Sequence, residues 1–145
     1  MKARVMSEAD YEAHQAKIGK HMAESVAKRM TGTLIPLHEV YFDWPVPALS
    51  PNARLHWSVK ARAAKQYRLH CYMLAKNAKL EKRVNLHIVF MPPDNRKYDL
   101  DNLIARMKSG LDGLADALGV NDNQFKIQAV MSATLRTGKV RVRVT

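Results

Sequence analysis

Apolar residues along the chain switch between a period near 3.6 and a period of two, and the switches divide it into elements. Ser7 to Met30 reads as a helix, capped by Ser7, with Asp10 at the third position as a weaker substitute for the usual Glu. Its stripe of Ile18, Met22 and Val26 is thin, as in an arm ordered only against a partner subunit or in a mobile tail. His38 to Trp44 alternates and carries Val40, Tyr41 and Phe42, which predicts a first strand. Pro45, Pro47 and Pro51 then fix an extended loop from Trp44 to Asn52. From Ala53 to about Leu80, Ala63, Tyr67, Cys71, Leu74 and Ala78 share one face of a predicted helix. Val84 to Met91 predicts a second strand, ended by Pro92 and Pro93.

The clearest element is Leu100 to Leu118. Leu100, Leu103, Ile104, Met107, Leu111, Leu114 and Leu118 form one helical stripe, and Gly119 is the natural C-cap. Phe125 to Leu135 and Lys139 to Val144 predict the last strands, joined as a hairpin through Arg136-Thr137-Gly138. The expected fold is α+β: a small, mostly antiparallel or mixed β-sheet packed with two helices, in the order β-α-β-α-β-β. It occupies residues 37–145, after an N-terminal helical arm over 1–36.

Composition narrows the class. Hydrophobic residues make up 47% of the 145, enough for a folded core and against a disordered chain. No apolar run approaches the roughly 18 residues of a membrane span, and no apolar stretch follows Met1 to Val5 as in a secretory signal. Cys71 is the single cysteine, which excludes an internal disulfide and a cysteine-rich zinc site. A cytoplasmic protein without membrane partners is expected.

The net charge of +11 favours a polyanionic partner, since cations on phosphates release condensed counterions. Its distribution matters more. Trp44 to Leu80 contains no Asp or Glu, yet holds Arg54, Lys60, Arg62, Lys65, Arg68, Lys76 and Lys79, with His56 and His70. A helix of one sign repels itself unless something negative neutralises it, and a merely solvated basic face is normally interleaved with acids at i,i+4. Trp57, beside His56, is either a ring for stacking on a base or an ordinary core residue.

The acids gather elsewhere, as Asp94, Asp99, Asp101, Asp112, Asp116 and Asp122. Asp99 and Asp101 sit at the start of the leucine-rich helix, and Asp122 follows its end. If the next strand runs back beside the second one, Asp122 approaches the other two. Three converging carboxylates repel unless a hard cation such as Mg²⁺ lies between them, and such an ion polarises a phosphodiester. Each aspartate alone also reads as a helix cap, worth about 1 kcal/mol, or a turn residue. Asp101, Lys108 and Asp112 fall within about 40° on one flank. Lys108 therefore either reaches toward the metal or a phosphate, or forms a surface pair with Asp112.

Asp99-Leu100-Asp101-Asn102-Leu103, then Lys108, Asp112-Gly113-Leu114 and Gly119-Val120-Asn121-Asp122-Asn123-Gln124 resemble the RusA family of Holliday junction resolvases of bacteria and phages. The family pattern is Asp-x-Asp-Asn leading into a helix with a lysine, Asp-Gly/Ala-Leu, and Asp-Asp-x-Gln at a strand start. Ser50-Pro51-Asn52 through His56-Trp57 resembles its proline-asparagine loop, and the likeness runs from Leu37 to Thr145. Asn121 stands where an Asp is usual, and three more residues separate Asp101 from Asp112 than in some members. The resemblance implies a homodimer that binds four-way DNA junctions and resolves them by paired nicks in recombination and repair, using Mg²⁺, with Mn²⁺ as a substitute. It implies Asp99, Asp101 and Asp122 as metal ligands and, with Lys108, as catalytic residues. Asn52, Arg54, His56, Trp57, Lys60, Arg62, Lys65, Arg68, Arg96 and Lys97 are then the expected DNA contacts. Val140, Val142 and Val144, with the N-terminal stripe, are the expected material for a dimer interface. The competing expectations are a non-catalytic binder of branched DNA or RNA, and a ribosome-associated protein whose aspartates only cap helices.

Overall fold

The structure, a computed structural model, describes residues 7–29 and 38–145. The chain divides into two compact units, Met1–Pro36 and Leu37–Thr145. In the first, helix α1 runs Glu8–Arg29, and Ile18 is exposed. The expected helix end at Met30, and the side chains of Asp10, Met22 and Val26, lie outside the described residues.

The second unit is a mixed α+β domain. Its elements are β1 (Glu39–Asp43), α2 (Trp57–Asn77), β2 (Asn85–Met91), α3 (Leu100–Arg106), α4 (Lys108–Leu118), β3 (Lys126–Met131) and β4 (Lys139–Val144). Short 3₁₀ turns at Pro47–Leu49 and Asp122–Gln124 break the connecting loops. The four strands lie in the order β1-β4-β2-β3, with β4 antiparallel to both β1 and β2, and β3 parallel to β2.

Alternation does what a period of two requires. Val40, Phe42, Leu86, Ile88, Phe90, Val140, Val142 and Val144 are buried on one face of the sheet. Tyr67 and Cys71 of α2, Leu103 of α3, and Leu111, Leu114 and Leu118 of α4 complete the same core. β2 and β3 run parallel, so the chain crosses back over the sheet between them, and α3 and α4 are that crossover.

Three expectations are corrected. The last two strands do not form a hairpin: β4 sits between β1 and β2, and β3 ends at Met131, short of Leu135. With Val140 and Val142 fully buried and Val144 nearly so, these valines are core and offer nothing to a dimer interface. The leucine-rich helix is two helices, broken at Met107, whose N–H is shared between the carbonyls of Leu103 and Ile104. The apolar stripe survives the break because Met107 itself is buried. No helix among the described residues is long and apolar enough to cross a membrane.

Candidate functional site

The acidic start of α3 is built from local hydrogen bonds. Asp99 is extended and caps the helix, its carboxylate accepting the Asp101 N–H at 3.1 Å. Asp101 lies in the first turn, exposed, and its side chain makes no hydrogen bond or ion pair among the described residues. Asn102 turns the other way. Its Oδ1 accepts from the Ser50 hydroxyl at 2.9 Å, and Ser50 Oγ in turn accepts the Asn52 N–H at 3.3 Å. Ser50 is buried, so losing this bond would leave its hydroxyl poorly placed to find water. Arg106, one turn on, reaches the Pro45 carbonyl at 3.5 Å. The proline-rich loop is thus tied to α3 at two points, and Asn52 and Arg54, at its end, are exposed.

Beyond this loop α2 begins at Trp57, not at Ala53. His56 is its cap: the imidazole Nδ1 accepts the Ser58 N–H at 3.2 Å. Trp57 is 75% exposed, with its ring 5.5 Å from that of His56. The choice between a core ring and a surface ring is settled by that exposure. Arg62 and Lys65 are exposed on α2 and Lys60 is half-buried. Arg68 differs, because it holds Asp116 of α4 in a two-pronged pair at 2.8 and 3.1 Å. Arg96 and Lys97 are exposed in the loop entering α3, where the Arg96 N–H holds the Asp94 carboxyl below the usual range.

Asp122 is placed with a different group. Lys108 Nζ donates to Asp112 Oδ1 at 2.9 Å and also to Asp122. The ammonium holds the Asp122 carboxyl below its usual range, and the two carboxylates, Asp122 foremost, raise Lys108. These side chains line an open hollow of about 570 Å³ with Arg68, Asp116 and Asn121. β3 pairs parallel to β2, with Lys126 beside Asn85 at the start of that strand, not at the end that leads to Asp99. The expected metal ligands are thus described at two places, Asp99 and Asp101 at the start of α3 and Asp122 against the Lys108 ammonium. Among the described residues no three acidic, histidine or cysteine side chains gather closely enough to hold a metal ion. The donor set that fits a hard cation is the pair Asp99 and Asp101, within one helical turn, since Mg²⁺ commonly takes one or two protein carboxylates and completes its shell with water and phosphate.

No family model matches this chain. An uncharacterised protein of Xylella fastidiosa is 38% identical to it over 117 residues, which covers 75% of this chain and 76% of that protein. The chain belongs to the family of that protein. Identity at this level over three quarters of both chains means that the two share a fold.

Two partnerships escaped the sequence. Asn102 stood inside the recognised motif, but nothing in the spacing pointed to Ser50 as its partner. The acid that neutralises Arg68 comes from α4 instead of from α2 itself, so the acid-free run of α2 concealed it.

Proposed function

We propose that this chain is a RusA-like, Mg²⁺-dependent DNA endonuclease that resolves four-way junctions by paired nicks as a homodimer, in recombination and repair. The observation that carries the proposal is the tie between Ser50 and Asn102, which joins the exposed proline-rich loop to the start of α3, where Asp99 caps the helix and the Asp101 carboxylate has no partner among the described residues. A strongly basic chain gains nothing in solubility by leaving Asp101 unpaired; a phosphate with its cation gives that carboxylate a use. Asp99 and Asp101 would hold the ion, which when bound neutralises phosphate charge and makes water more acidic. Trp57 offers a ring to an unstacked base at the branch point. Arg54, Arg62 and Lys65 meet the backbone, while Arg68, engaged by Asp116, contributes less. Lys108 is a second phosphate ligand, steadied by Asp112 and Asp122.

The test is a labelled four-way junction incubated with Mg²⁺, with Mn²⁺ and with a chelator. Paired nicks are expected with either ion and none with chelator; cleavage that ignores the chelator, or no cleavage at all, overturns the reading. A second reading, a binder of branched DNA or RNA without turnover, draws on one observation: Lys108 already neutralises Asp122, the third expected ligand. It predicts junction binding with no nicks under any ion.

An interface along α2 has its own signature. Neutralising Arg54, Arg62 and Lys65 together is expected to flatten the log-log dependence of junction affinity on salt by about 2 to 3, roughly 0.9 for each phosphate no longer neutralised. An unchanged slope removes this face from the interface.

A further inference from the structure

β3 is one edge of the sheet. Lys126 donates its N–H to the Val84 carbonyl and Ser132 donates to Phe90, so even-numbered residues face β2. Ile127, Ala129 and Met131 therefore turn their N–H and C=O groups outward. The opposite edge, β1, shows how an edge is normally kept from pairing: it is short, begins with Glu39, ends with Asp43 and runs toward Pro45. β3 begins with Lys126, but from Ile127 to Met131 it carries no charge and no proline, and its register with β2 is unbroken. The face that carries Ile127, Ala129 and Met131 is apolar, with Ile127 40% exposed, and on the other face Val130 is 56% exposed beside Gln128. Beside Ile127 an open hollow of about 450 Å³ is lined by Leu49, Ile104 and Leu111.

We propose that β3 pairs antiparallel with β3 of a second copy of this chain, with Ala129 opposite Ala129 on the two-fold axis. The strand is complementary to itself in this register. All three outward-facing residues find partners, Ile127 opposite Met131 and Ala129 opposite itself, so no outward backbone group in that stretch is left without a bond. The smallest side chain lies on the axis. The partner's Met131 comes beside Ile127 over the apolar hollow, where a flexible thioether fills irregular space. Lys126 lies opposite Ser132, so no like charges face each other. The two four-stranded sheets become one continuous sheet, and because the axis is perpendicular to it, both helical layers lie on the same side. The proposal rests on the homodimer of the proposed function and names its interface.

Ala129→Cys in the full-length protein tests the register. Directly opposed residues of a hydrogen-bonded antiparallel pair have Cα atoms about 5.5 Å apart, within disulfide range. Under mild oxidation most of the chain is expected to run as a reducible dimer. Cys71 does not compete, since burial pushes its thiol up to about 12. Gln128→Cys, on the other face and opposite Val130, is expected to stay monomeric on the same gel. Ala129→Pro removes an outward N–H that β2 does not use, and sedimentation should then give a folded monomer. A sedimenting wild-type dimer in which Ala129→Cys fails to crosslink, or an Ala129→Pro dimer, overturns this interface and leaves the nuclease reading standing. A crosslinked dimer that cleaves no junction overturns the nuclease reading alone, and a wild-type monomer at micromolar concentration overturns the dimer itself.

Discussion

Asp101→Asn is expected to cut four-way junction cleavage by at least about a hundredfold, because losing even an outer-shell partner of a metal costs 10- to 100-fold and Asp101 is proposed as a direct ligand. Binding of the uncut junction should hold or tighten, since a negative charge beside the phosphates is removed. The fold gives a clean readout. Asp101 contributes its backbone N–H, not its carboxylate, to the cap, and asparagine keeps that N–H. The only structural loss is an exposed acid in the first turn, worth about 0.3–1 kcal/mol, so the melting temperature should barely move. Asp99→Asn is expected to match it, because asparagine also caps helices well. Asp122→Asn should separate two roles. If Asp122 serves only to steady Lys108, its loss costs less than that of Asp101 and resembles Lys108→Met. Single-turnover cleavage and a binding titration in chelator measure both quantities. Near-normal cleavage by Asp101→Asn would remove the acidic pair from the chemistry.

What could be read from the sequence followed from periodicity. The leucines of α3 and α4 reached the core they predicted, because a side chain's face is fixed by its own helix; the valines of β4 share one face as their alternation requires, but that face is the core and not the expected dimer interface. Neighbours in the sheet were not legible. Lys139-Val140-Arg141-Val142-Arg143-Val144 says which face is buried, but the same alternation suits a hairpin beside β3 and the observed slot between β1 and β2. The partner of Asp122 was no more legible: it pairs with Lys108, fourteen residues earlier, and no spacing rule on one helix links the two. Lys108 with Asp112 was legible, because i,i+4 spacing on one helix suffices. Ser50 with Asn102 was not, because fifty-two residues separate them and a serine in a proline-rich loop carries no mark of burial.

The closest approach of α2 and α4 offers the second large effect. Gly113 lies on the face of α4 that meets α2, and a Cβ built there would stand 2.2 Å from the Arg68 carbonyl oxygen. That neighbour is backbone within a helix, so it cannot swing aside; the helices must part. Parting them loosens the packing of Tyr67 and Cys71, which lie beside Gly110 one turn earlier. Gly113→Ala is therefore expected to destabilise the domain by about 2–3 kcal/mol, the upper part of the range for overpacking. The melting temperature should fall by about 10 °C. Gly119 provides the contrast. It has φ of 68° and nothing within 4 Å of a built Cβ, so its constraint is backbone conformation alone. Asparagine tolerates the left-handed region, so Gly119→Asn should cost well under half as much as Gly113→Ala. Thermal or urea unfolding of both variants measures the difference. Equal costs would mean that the helix contact yields easily, and that Arg68 and Asp116 are not held in register by it.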